Sequence, residues 1–149
     1  MFKTPLIGRY DYSVDEKNRL NIPSKLRKSI SPEADNTVII TKSDQKCLDV
    51  YPLDKFFKKI MGKLDEFSET DEGERFYTSE KGENSIDASI DSQGRIIIPK
   101  FLLEYAGIKK DVIIIGAFNR IEVWNPDERE RYLREKKEQL AKLDKDILP

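Results

Sequence analysis

The chain contains 149 residues, of which 38% are hydrophobic and 37% are charged, and its formal net charge is −1. This length suits one ordinary domain or two small ones. There is no histidine, which excludes serine–histidine–aspartate and cysteine–histidine nucleophile arrangements and removes the commonest ligand of catalytic zinc. Cys47 is the single cysteine, which excludes an internal disulfide. We therefore expect no catalytic residues, metal, cofactor or small-molecule substrate. No segment approaches the roughly 18 apolar residues of a membrane span, so we expect no membrane partner.

The predicted elements follow the same order in both halves of the chain, which indicates an internal repeat. Each half is predicted to contain a strand, a turn, a strand, a short helix, two strands joined by a turn, and a longer helix. The phrase DEKNRLNIPSK at residues 15–25 recurs as DSQGRIIIPK at residues 91–100. The remaining matches are the apolar runs at residues 37–41 and 111–116 and the strands at residues 48–51 and 121–124.

Proline, glycine and apolar spacing predict the helices. PSKLRKSI and PKFLLEYAG each begin with a proline that ends the preceding strand, and Gly107 is a good stop for the second helix. A longer helix is predicted over residues 54–67, an acidic linker or weak helical connection over 68–85, and a last helix from Asn125 to about residue 144. The predicted apolar faces contain Phe57, Ile60, Met61, Leu64 and Phe67 in the first long helix and Leu133, Leu140 and Leu143 in the last.

The repeat divides the chain into four predicted segments. They are a first repeat at residues 8–54, a helix with an acidic linker at 55–83, a second repeat at 84–127, and a charged C-terminal helix and tail at 128–149. One repeat alone has few strands and exposed edges, and it buries too little apolar surface to be stable. We therefore predict that the two repeats complete each other's sheets as a pseudo-dimer, and that leftover edges favour assembly into a closed ring.

The repeated phrase places an aspartate four residues before an arginine in each half. The residue before each arginine is asparagine or glycine, which most readily adopt a left-handed backbone, so a turn is favoured over a helical ion pair. In one interpretation the aspartate caps the turn and pairs with the arginine; in the other the arginine reaches base edges in a DNA groove. The residues alone leave both open. The positions concerned are Asp15, Asn18 and Arg19 in the first copy and Asp91, Gly94 and Arg95 in the second.

Basic residues cluster around the first turn although the net charge is close to zero. Residues 16–28 contain five basic residues and one acid, whereas residues 65–74 contain six acids and no base. Lysines beside a turn can neutralise phosphates, and the alternative is an ordinary solvated surface. Because the second turn is less basic, we predict that the first is the main contact surface. The residues concerned are Lys17, Arg19, Lys25, Arg27 and Lys28 in the first half and Gln93, Arg95 and Lys100 in the second.

These motifs resemble those of the MraZ family of bacterial transcriptional regulators over nearly the whole chain. A single Asp-x-x-x-Arg motif would be weak, but two in order, followed by a Gly-x-Phe-Asn segment and a Glu-x-Trp strand, are specific. Asn18 departs from the glycine usual in the family, and extra residues within 3–6 lengthen the N-terminus. The matching segments are Met1-Phe2, Gly8, and residues 15–23, 91–99, 103–107 and 116–124.

The resemblance implies a β-rich α+β fold that contains two tandem AbrB-like swapped-hairpin subdomains. The two subdomains would form a pseudo-dimer, that is, a double-split β-barrel, and each subdomain would be followed by a helix. It implies a homo-oligomeric ring of octamer or dodecamer type on direct repeats in double-stranded promoter DNA. The expected function is sequence-specific transcriptional repression of the division and cell-wall gene cluster, including the protein's own promoter. The expected location is the cytoplasm, in association with the nucleoid. The resemblance implies that Arg19 and Arg95 contact DNA and that Asp15 and Asp91 brace the loops. With the neighbouring residues described above, the predicted DNA-binding residues are Lys17, Arg19, Lys25, Arg27, Gln93 and Arg95, and the predicted loop-bracing residues are Asp15, Asn18, Asp91 and Gly94.

Two other functional classes were weighed against this one. An AbrB-fold protein–protein module, antitoxin-like or scaffold-like, would use the charged C-terminal helix to capture a partner. A hydrolase is disfavoured by the missing histidines. Cys47 is predicted to be a small buried strand residue and not a nucleophile, since nothing nearby in the sequence would lower its pKa.

Overall fold

The computed structural model describes residues 4–148 of the chain. The family-like start at Met1-Phe2, the first residue of the N-terminal extension, Lys3, and the terminal Pro149 lie outside the described residues. Within residues 4–148 the chain forms eight strands. They are β1 (Leu6–Ser13), β2 (Arg19–Asn21), β3 (Thr37–Lys42), β4 (Leu48–Pro52), β5 (Ser85–Ser89), β6 (Arg95–Ile97), β7 (Asp111–Phe118) and β8 (Ile121–Trp124).

Short helices follow the second strand of each half, and longer helical segments follow the fourth. A 3₁₀ turn at Pro32–Ala34 and a π-helical turn at Phe57–Met61 accompany the α-helices. The α-helices are α1 (Ser24–Lys28), α2 (Leu53–Phe56), α3 (Gly62–Asp65), α4 (Glu72–Glu83), α5 (Lys100–Tyr105), α6 (Pro126–Glu135) and α7 (Lys137–Ile147).

The strands form a six-stranded antiparallel sheet in the order β1-β7-β8-β4-β3-β5 and a two-stranded antiparallel ribbon of β2 and β6. By the sequence repeat, β1 to β4 correspond in order to β5 to β8. The first strand of each half pairs with the third strand of the other half, β1 with β7 and β5 with β3. Equivalent strands also pair directly, β2 with β6 and β4 with β8. The predicted β-rich α+β fold of two repeats is confirmed, and both halves contribute strands to each sheet.

The hydrophobic core is likewise common to the two halves. Leu20 in β2 and Ile96 in β6 are opposite each other in the ribbon, and their exposed fractions are 1% and 2%. Burying such a side chain contributes about 1.5–3 kcal/mol, so a half that lost its partner would lose much of its stability. The same cluster contains Leu26, Val38, Ile40, Val50, Ile98, Leu102, Val112, Ile114 and Val123.

The short helices begin and end where the sequence predicts. Pro23 and Pro99 hold extended backbone, with ψ of 136° and 147°, immediately before α1 and α5. Gly107 adopts a φ of +68° after α5, and the next amide, of Ile108, donates to the carbonyl of Leu103 at 2.9 Å. A left-handed glycine at this point satisfies the last carbonyls of a helix. The predicted stop at Gly107 is confirmed.

The helix predicted over residues 54–67 forms, but the prediction of its packed face is wrong at Phe57. The helical segment passes through α2, the π-helical turn and α3, and it ends at Asp65. Phe57 is 57% exposed, whereas Phe56 packs edge to face against Tyr51 with 6.0 Å between ring centroids. A π-helical turn contains more residues than an α-helical one, so it rotates the apolar face away from the regular spacing.

The acidic stretch between the repeats is helical and not extended. Asp71 caps α4, because its carboxylate accepts a hydrogen bond from the amide of Glu74 at 2.9 Å. Of the two predictions for residues 68–85, the helical connection is therefore the correct one.

The last helix starts as predicted but is interrupted. The side chain of Asn125 accepts from the amide of Asp127 at 2.7 Å, which caps α6. At Lys136 the backbone leaves helical geometry, with φ of −102° and ψ of 7°, and α7 then continues to Ile147. Among residues 4–148, no helix combines the length and the apolar character needed to cross a membrane.

The adjacent isoleucines of β6 provide a matched test of this fold. Ile96→Ala is expected to lower the free energy of unfolding by about 2–5 kcal/mol, because Ile96 is 2% exposed in the core. Ile97→Ala is expected to change it by less than about 0.5 kcal/mol, because Ile97 is 61% exposed. Urea unfolding at one protein concentration measures both. Equal losses from the two variants would show that the register of β2 on β6 is wrong.

Candidate nucleic-acid interface

In the first turn, one carboxylate organises the backbone and the arginine together. Asp15 Oδ1 accepts from the amides of Lys17 at 2.9 Å and Arg19 at 2.8 Å, and Oδ2 accepts from Arg19 Nε at 2.7 Å. The amide of Asn18 donates to the Asp15 carbonyl at 3.0 Å, and Asn18 adopts a φ of +62°. The turn is closed by hydrogen bonds on both oxygens of the Asp15 carboxylate.

The second turn repeats this arrangement at the equivalent positions. Asp91 Oδ1 accepts from the amides of Gln93 and Arg95, each at 2.9 Å, and Oδ2 accepts from Arg95 Nε at 2.9 Å. Gly94 takes the place of Asn18 with a φ of +79°. The substitution of asparagine for glycine therefore leaves the backbone conformation and the hydrogen-bond pattern of the turn unchanged.

These hydrogen bonds also set the charge of both aspartates. The pKa of Asp15 lies below its ordinary value of 3.8, chiefly because the Arg19 amide donates to the carboxylate, and the pKa of Asp91 is lowered in the same way by the Arg95 amide. A lowered pKa in the folded state means that the stabilisation is present above about pH 3.8 and is lost as the pH falls further. Both turns are fully braced at neutral pH.

Each arginine keeps donors that face outward. Nε of Arg19 and Nε of Arg95 are bound to the aspartates, and within the described residues neither guanidinium makes a further hydrogen bond through its Nη atoms. The side chains are 28% and 22% exposed. A guanidinium fixed at Nε presents its two Nη groups as an oriented fork, the geometry that suits two adjacent acceptors.

The two turns lie at opposite ends of the ribbon formed by β2 and β6. Arg19 is opposite Ile97, Leu20 is opposite Ile96, and Asn21 is opposite Arg95. Beyond this register, the amide of Ile98 donates to the Asn18 carbonyl and the amide of Ile22 donates to the Gly94 carbonyl, each at 2.9 Å. Because side chains alternate along a strand, both arginines lie on the face opposite the buried residues.

Arg27, predicted as a DNA contact, has a hydrogen-bond partner within the chain. Its Nε donates to the carbonyl of Ile22 at 2.9 Å. Its guanidinium covers the second turn so closely that a Cβ at Gly94 would lie 2.5 Å from Arg27 Cζ. Glycine at position 94 suits the positive φ, and it leaves the space that the Arg27 guanidinium fills.

The other predicted contact residues are exposed around these turns. Lys17 and Gln93 lie within the first and second turn, and Lys25 lies in α1. Lys28 is exposed at the end of α1, and Lys100 is exposed with its amine 3.8 Å from Glu104. The structure brings Lys17 and Arg19 into one turn and Gln93 and Arg95 into the other.

Sequence reasoning missed two residues on the outer face of the ribbon. Asn21 and Ile97 are both exposed, and each is directly opposite one of the arginines, Arg95 and Arg19. The alternation of side chains along a strand could have identified them. Once Leu20 and Ile96 are assigned to the core, their neighbours in β2 and β6 must face outward.

Sequence reasoning also missed a half-buried charge network in the large sheet. Asp49 in β4 and Glu122 in β8 are directly opposite each other, and Arg120 lies between them. Arg120 Nη2 donates to Glu122 Oε2 at 2.7 Å, and Arg120 Nε lies 3.5 Å from Asp49 Oδ1. Burial, with a smaller effect of Glu122, raises the pKa of Asp49 to about 6. The repeat itself aligns Asp49 with Glu122, which was the available signal.

Cys47 lies beside this network and is inert. It is 1% exposed, and burial raises its pKa to about 12. A thiol this far from its thiolate form is a poor nucleophile. The prediction that Cys47 is buried is confirmed, but the prediction that it lies in a strand is wrong, because β4 begins one residue later, at Leu48.

The raised pKa of Asp49 predicts a specific dependence of stability on pH. Since the folded-state pKa is about 6 against 3.8 ordinarily, the folded state holds a proton that the unfolded state releases. This contribution to stability is present at low pH and is lost as the pH rises through about 6. When the pH is lowered from about 7 to about 5, the free energy of unfolding of the wild type should rise by about 1 kcal/mol relative to that of Asp49→Asn, as measured by urea unfolding. Parallel curves for the two proteins would contradict the assignment.

Comparison with known proteins identifies the group to which the chain is similar. The sequence model of the family described as "MraZ protein, putative antitoxin-like" matches residues 6–79 and 84–148. The protein named "Transcriptional regulator MraZ" from Bifidobacterium longum (strain NCC 2705) is 31% identical over 144 residues, covering 97% of this chain and 93% of that protein. The protein of the same name from Clostridium tetani (strain Massachusetts / E88) is 37% identical over 126 residues, covering 85% of each chain.

One solved structure gives a weaker match. The solution structure of PHS018 from Pyrococcus horikoshii aligns with 80% of this chain and 89% of its own at 20% identity, and its TM-score of 0.34 is too low to support any comparison. The family assignment rests instead on the match to both repeats and on the identity to relatives over most of their length. The chain belongs to the MraZ family.

Proposed function

We propose that this protein is a sequence-specific DNA-binding transcriptional regulator. The observation that carries the proposal is the pair of aspartate-braced turns, which hold Arg19 and Arg95 on one exposed face of a two-stranded ribbon. The relatives named transcriptional regulator MraZ support the same function.

The shape and chemistry of the ribbon suit a major groove. The groove of B-form DNA admits a two-stranded antiparallel ribbon, and an arginine fork can donate to O6 and N7 of a guanine. In this proposal Arg19 and Arg95 read guanines, while Asp15, Asn18, Asp91 and Gly94 keep the turns rigid. Rigid donors lose little conformational entropy when they bind.

Neighbouring polar and basic residues would supply affinity that does not depend on sequence. Lys17 and Lys25 are exposed beside the first turn and are assigned to phosphates, and Gln93 is assigned to the DNA backbone at the second. Arg27 keeps the position of its guanidinium against Gly94 and contributes charge next to the DNA. The local surplus of basic residues attracts DNA despite the net charge of −1.

The repeats are proposed to be two AbrB-like swapped-hairpin subdomains joined as a pseudo-dimer, that is, a double-split β-barrel. The exchange of first strands between the halves and the direct pairing of β2 with β6 support this description. The proposed boundaries are residues 8–54 and 84–127 for the repeats, with residues 55–83 and 128–149 as the helical segments that follow them.

A ring of identical chains is the proposed assembly, of octamer or dodecamer type. Strands β1 and β5 are the two edges of the large sheet, and α7 exposes Leu140, Leu143 and Ile147, all surfaces that a neighbouring copy could cover. Rings that present the ribbon at regular spacing would suit directly repeated DNA boxes, since linked contacts raise the effective concentration.

The family resemblance extends the proposal to the cellular role. The protein would act in the cytoplasm on the nucleoid and repress the division and cell-wall gene cluster, including its own promoter. A gel-shift assay with the DNA upstream of its own gene tests binding, and a reporter driven by that DNA tests repression.

A protein–protein module of antitoxin-like or scaffold type is the second candidate function. The exposed apolar residues of α6 and α7, together with the family description, favour it. Absence of any sequence-dependent shift on the upstream DNA, combined with a stable complex with another protein, would favour this candidate over a DNA-binding regulator.

The turn arginine gives the most direct mutational test. Arg19→Ala is expected to weaken specific binding roughly 5- to 140-fold, because one arginine–guanine contact contributes about 1–3 kcal/mol. Arg19→Lys should lose nearly as much, since a lysine keeps the charge but cannot form the fork. Arg75→Ala, which removes an exposed arginine in α4, away from the ribbon and from the proposed ring contacts, is the matched control and should bind normally.

The outcome is interpretable only if the variants fold and assemble. Urea unfolding and gel filtration of Arg19→Ala and Arg19→Lys report on both. Normal assembly together with unchanged DNA affinity would show that the arginine is structural only, and the proposed function would then fail.

Lys25 separates affinity from specificity. Lys25→Ala is expected to weaken binding to all duplexes equally and to reduce the slope of log affinity against log salt by about 0.9, the value for one phosphate contact. Lys63→Ala, at an exposed position in α3, removes the same charge elsewhere and should leave the slope unchanged. A change in base preference from Lys25→Ala would contradict its assignment to phosphate.

A further inference from the structure

We propose that Asn21 and Ile97 read bases between the two turn arginines, and that the difference between these two residues gives the contact with each of the proposed directly repeated boxes its direction. This inference rests on the proposed DNA-binding function. It assigns specificity to two residues that lie outside the aspartate–arginine turns.

The register of the ribbon places these residues on the same face as the arginines. Arg19 pairs with Ile97 and Asn21 pairs with Arg95, so the outer face carries two cross-strand pairs, each with one arginine. The pair between them, Leu20 and Ile96, faces the core. Along each strand the two outward residues are separated by about 7 Å, which is comparable to two base-pair steps.

The repeat makes the arginines equivalent but leaves their neighbours different. When the first repeat is aligned with the second, Arg19 corresponds to Arg95 and Asn21 corresponds to Ile97. Two equivalent arginines on an antiparallel ribbon would read a sequence and its reverse complement alike, which favours a palindrome. An asparagine at one position and an isoleucine at the other remove that equivalence.

The two side chains differ in the bases that they can recognise. An asparagine amide can donate to N7 and accept from the exocyclic amine of adenine, whereas an aliphatic side chain can contact only the methyl group of thymine. We therefore expect different base pairs at the two positions that the halves would otherwise read identically.

Neither residue has a structural role within the described chain. The side chain of Asn21 forms no hydrogen bond among residues 4–148. Ile97 is 61% exposed, although its neighbours Ile96 and Ile98 are at most 2% exposed. An exposed isoleucine between two arginine-bearing turns is not needed for the core, and a thymine methyl group would give it an apolar partner.

The test is to make the ribbon symmetric. Wild type, Asn21→Ile and Ile97→Asn are each used to select binders from a pool of duplexes with a randomised centre. The wild type should select a non-palindromic box. Each variant should select an inverted repeat, because both halves then carry the same outward residues. In direct titrations, replacing the adenine assigned to Asn21 should weaken wild-type binding about tenfold and leave Asn21→Ile nearly unaffected.

Other results overturn the inference in distinguishable ways. If both variants select the wild-type box, or if the wild type selects a palindrome, Asn21 and Ile97 do not set direction, although the proposed function stands. If Ile97→Asn changes the assembly on gel filtration and not the selected box, Ile97 contacts a second copy instead. If the wild type selects no sequence at all, the proposed function fails, and this inference fails with it. Urea unfolding of both variants verifies that they fold.

Discussion

The carboxylates of Asp15 and Asp91 hold the two turns on which the rest of the ribbon depends. Each accepts two amides and one arginine Nε, and this fixes the backbone and the guanidinium with one group. They act together with backbone hydrogen bonds from the amides of Asn18 and Gly94 to the carbonyls of Asp15 and Asp91, which hold the left-handed residues before each arginine. The structural and functional interpretations of the Asp-x-x-x-Arg motif are therefore not rivals: the aspartate occupies Nε, and the Nη atoms remain for a ligand.

Strand exchange between the halves explains why the turns come as a pair. Because β2 pairs only with β6, each turn is completed by an amide from the other half, Ile98 onto Asn18 and Ile22 onto Gly94. The core beneath the ribbon belongs to both halves as well. A change in one turn is consequently transmitted to the other, and the arrangement of Arg27 over Gly94 adds a further link between the halves.

Much of this architecture could be predicted from the sequence because it depends on local chemistry. Asn18, Gly94 and Gly107 indicated left-handed positions, and the prolines before α1 and α5 marked their starts. The packing of Arg27 on Gly94 could not be predicted, since it joins residues far apart in sequence through a register that no single half specifies. The π-helical turn at Phe57–Met61 was missed because apolar spacing assumes a regular helix, and the outward positions of Asn21 and Ile97 required knowing which face of the ribbon is buried.

In the proposed complex, the arginine-bearing face of the ribbon enters a major groove and contacts guanines. Methylation interference on the DNA upstream of the gene measures this directly, because methylation of guanine N7 blocks a contact on the major-groove edge. We expect a small set of guanines, repeated along the DNA, whose N7 methylation prevents wild-type binding. Binding that tolerates N7 methylation at every guanine would contradict it.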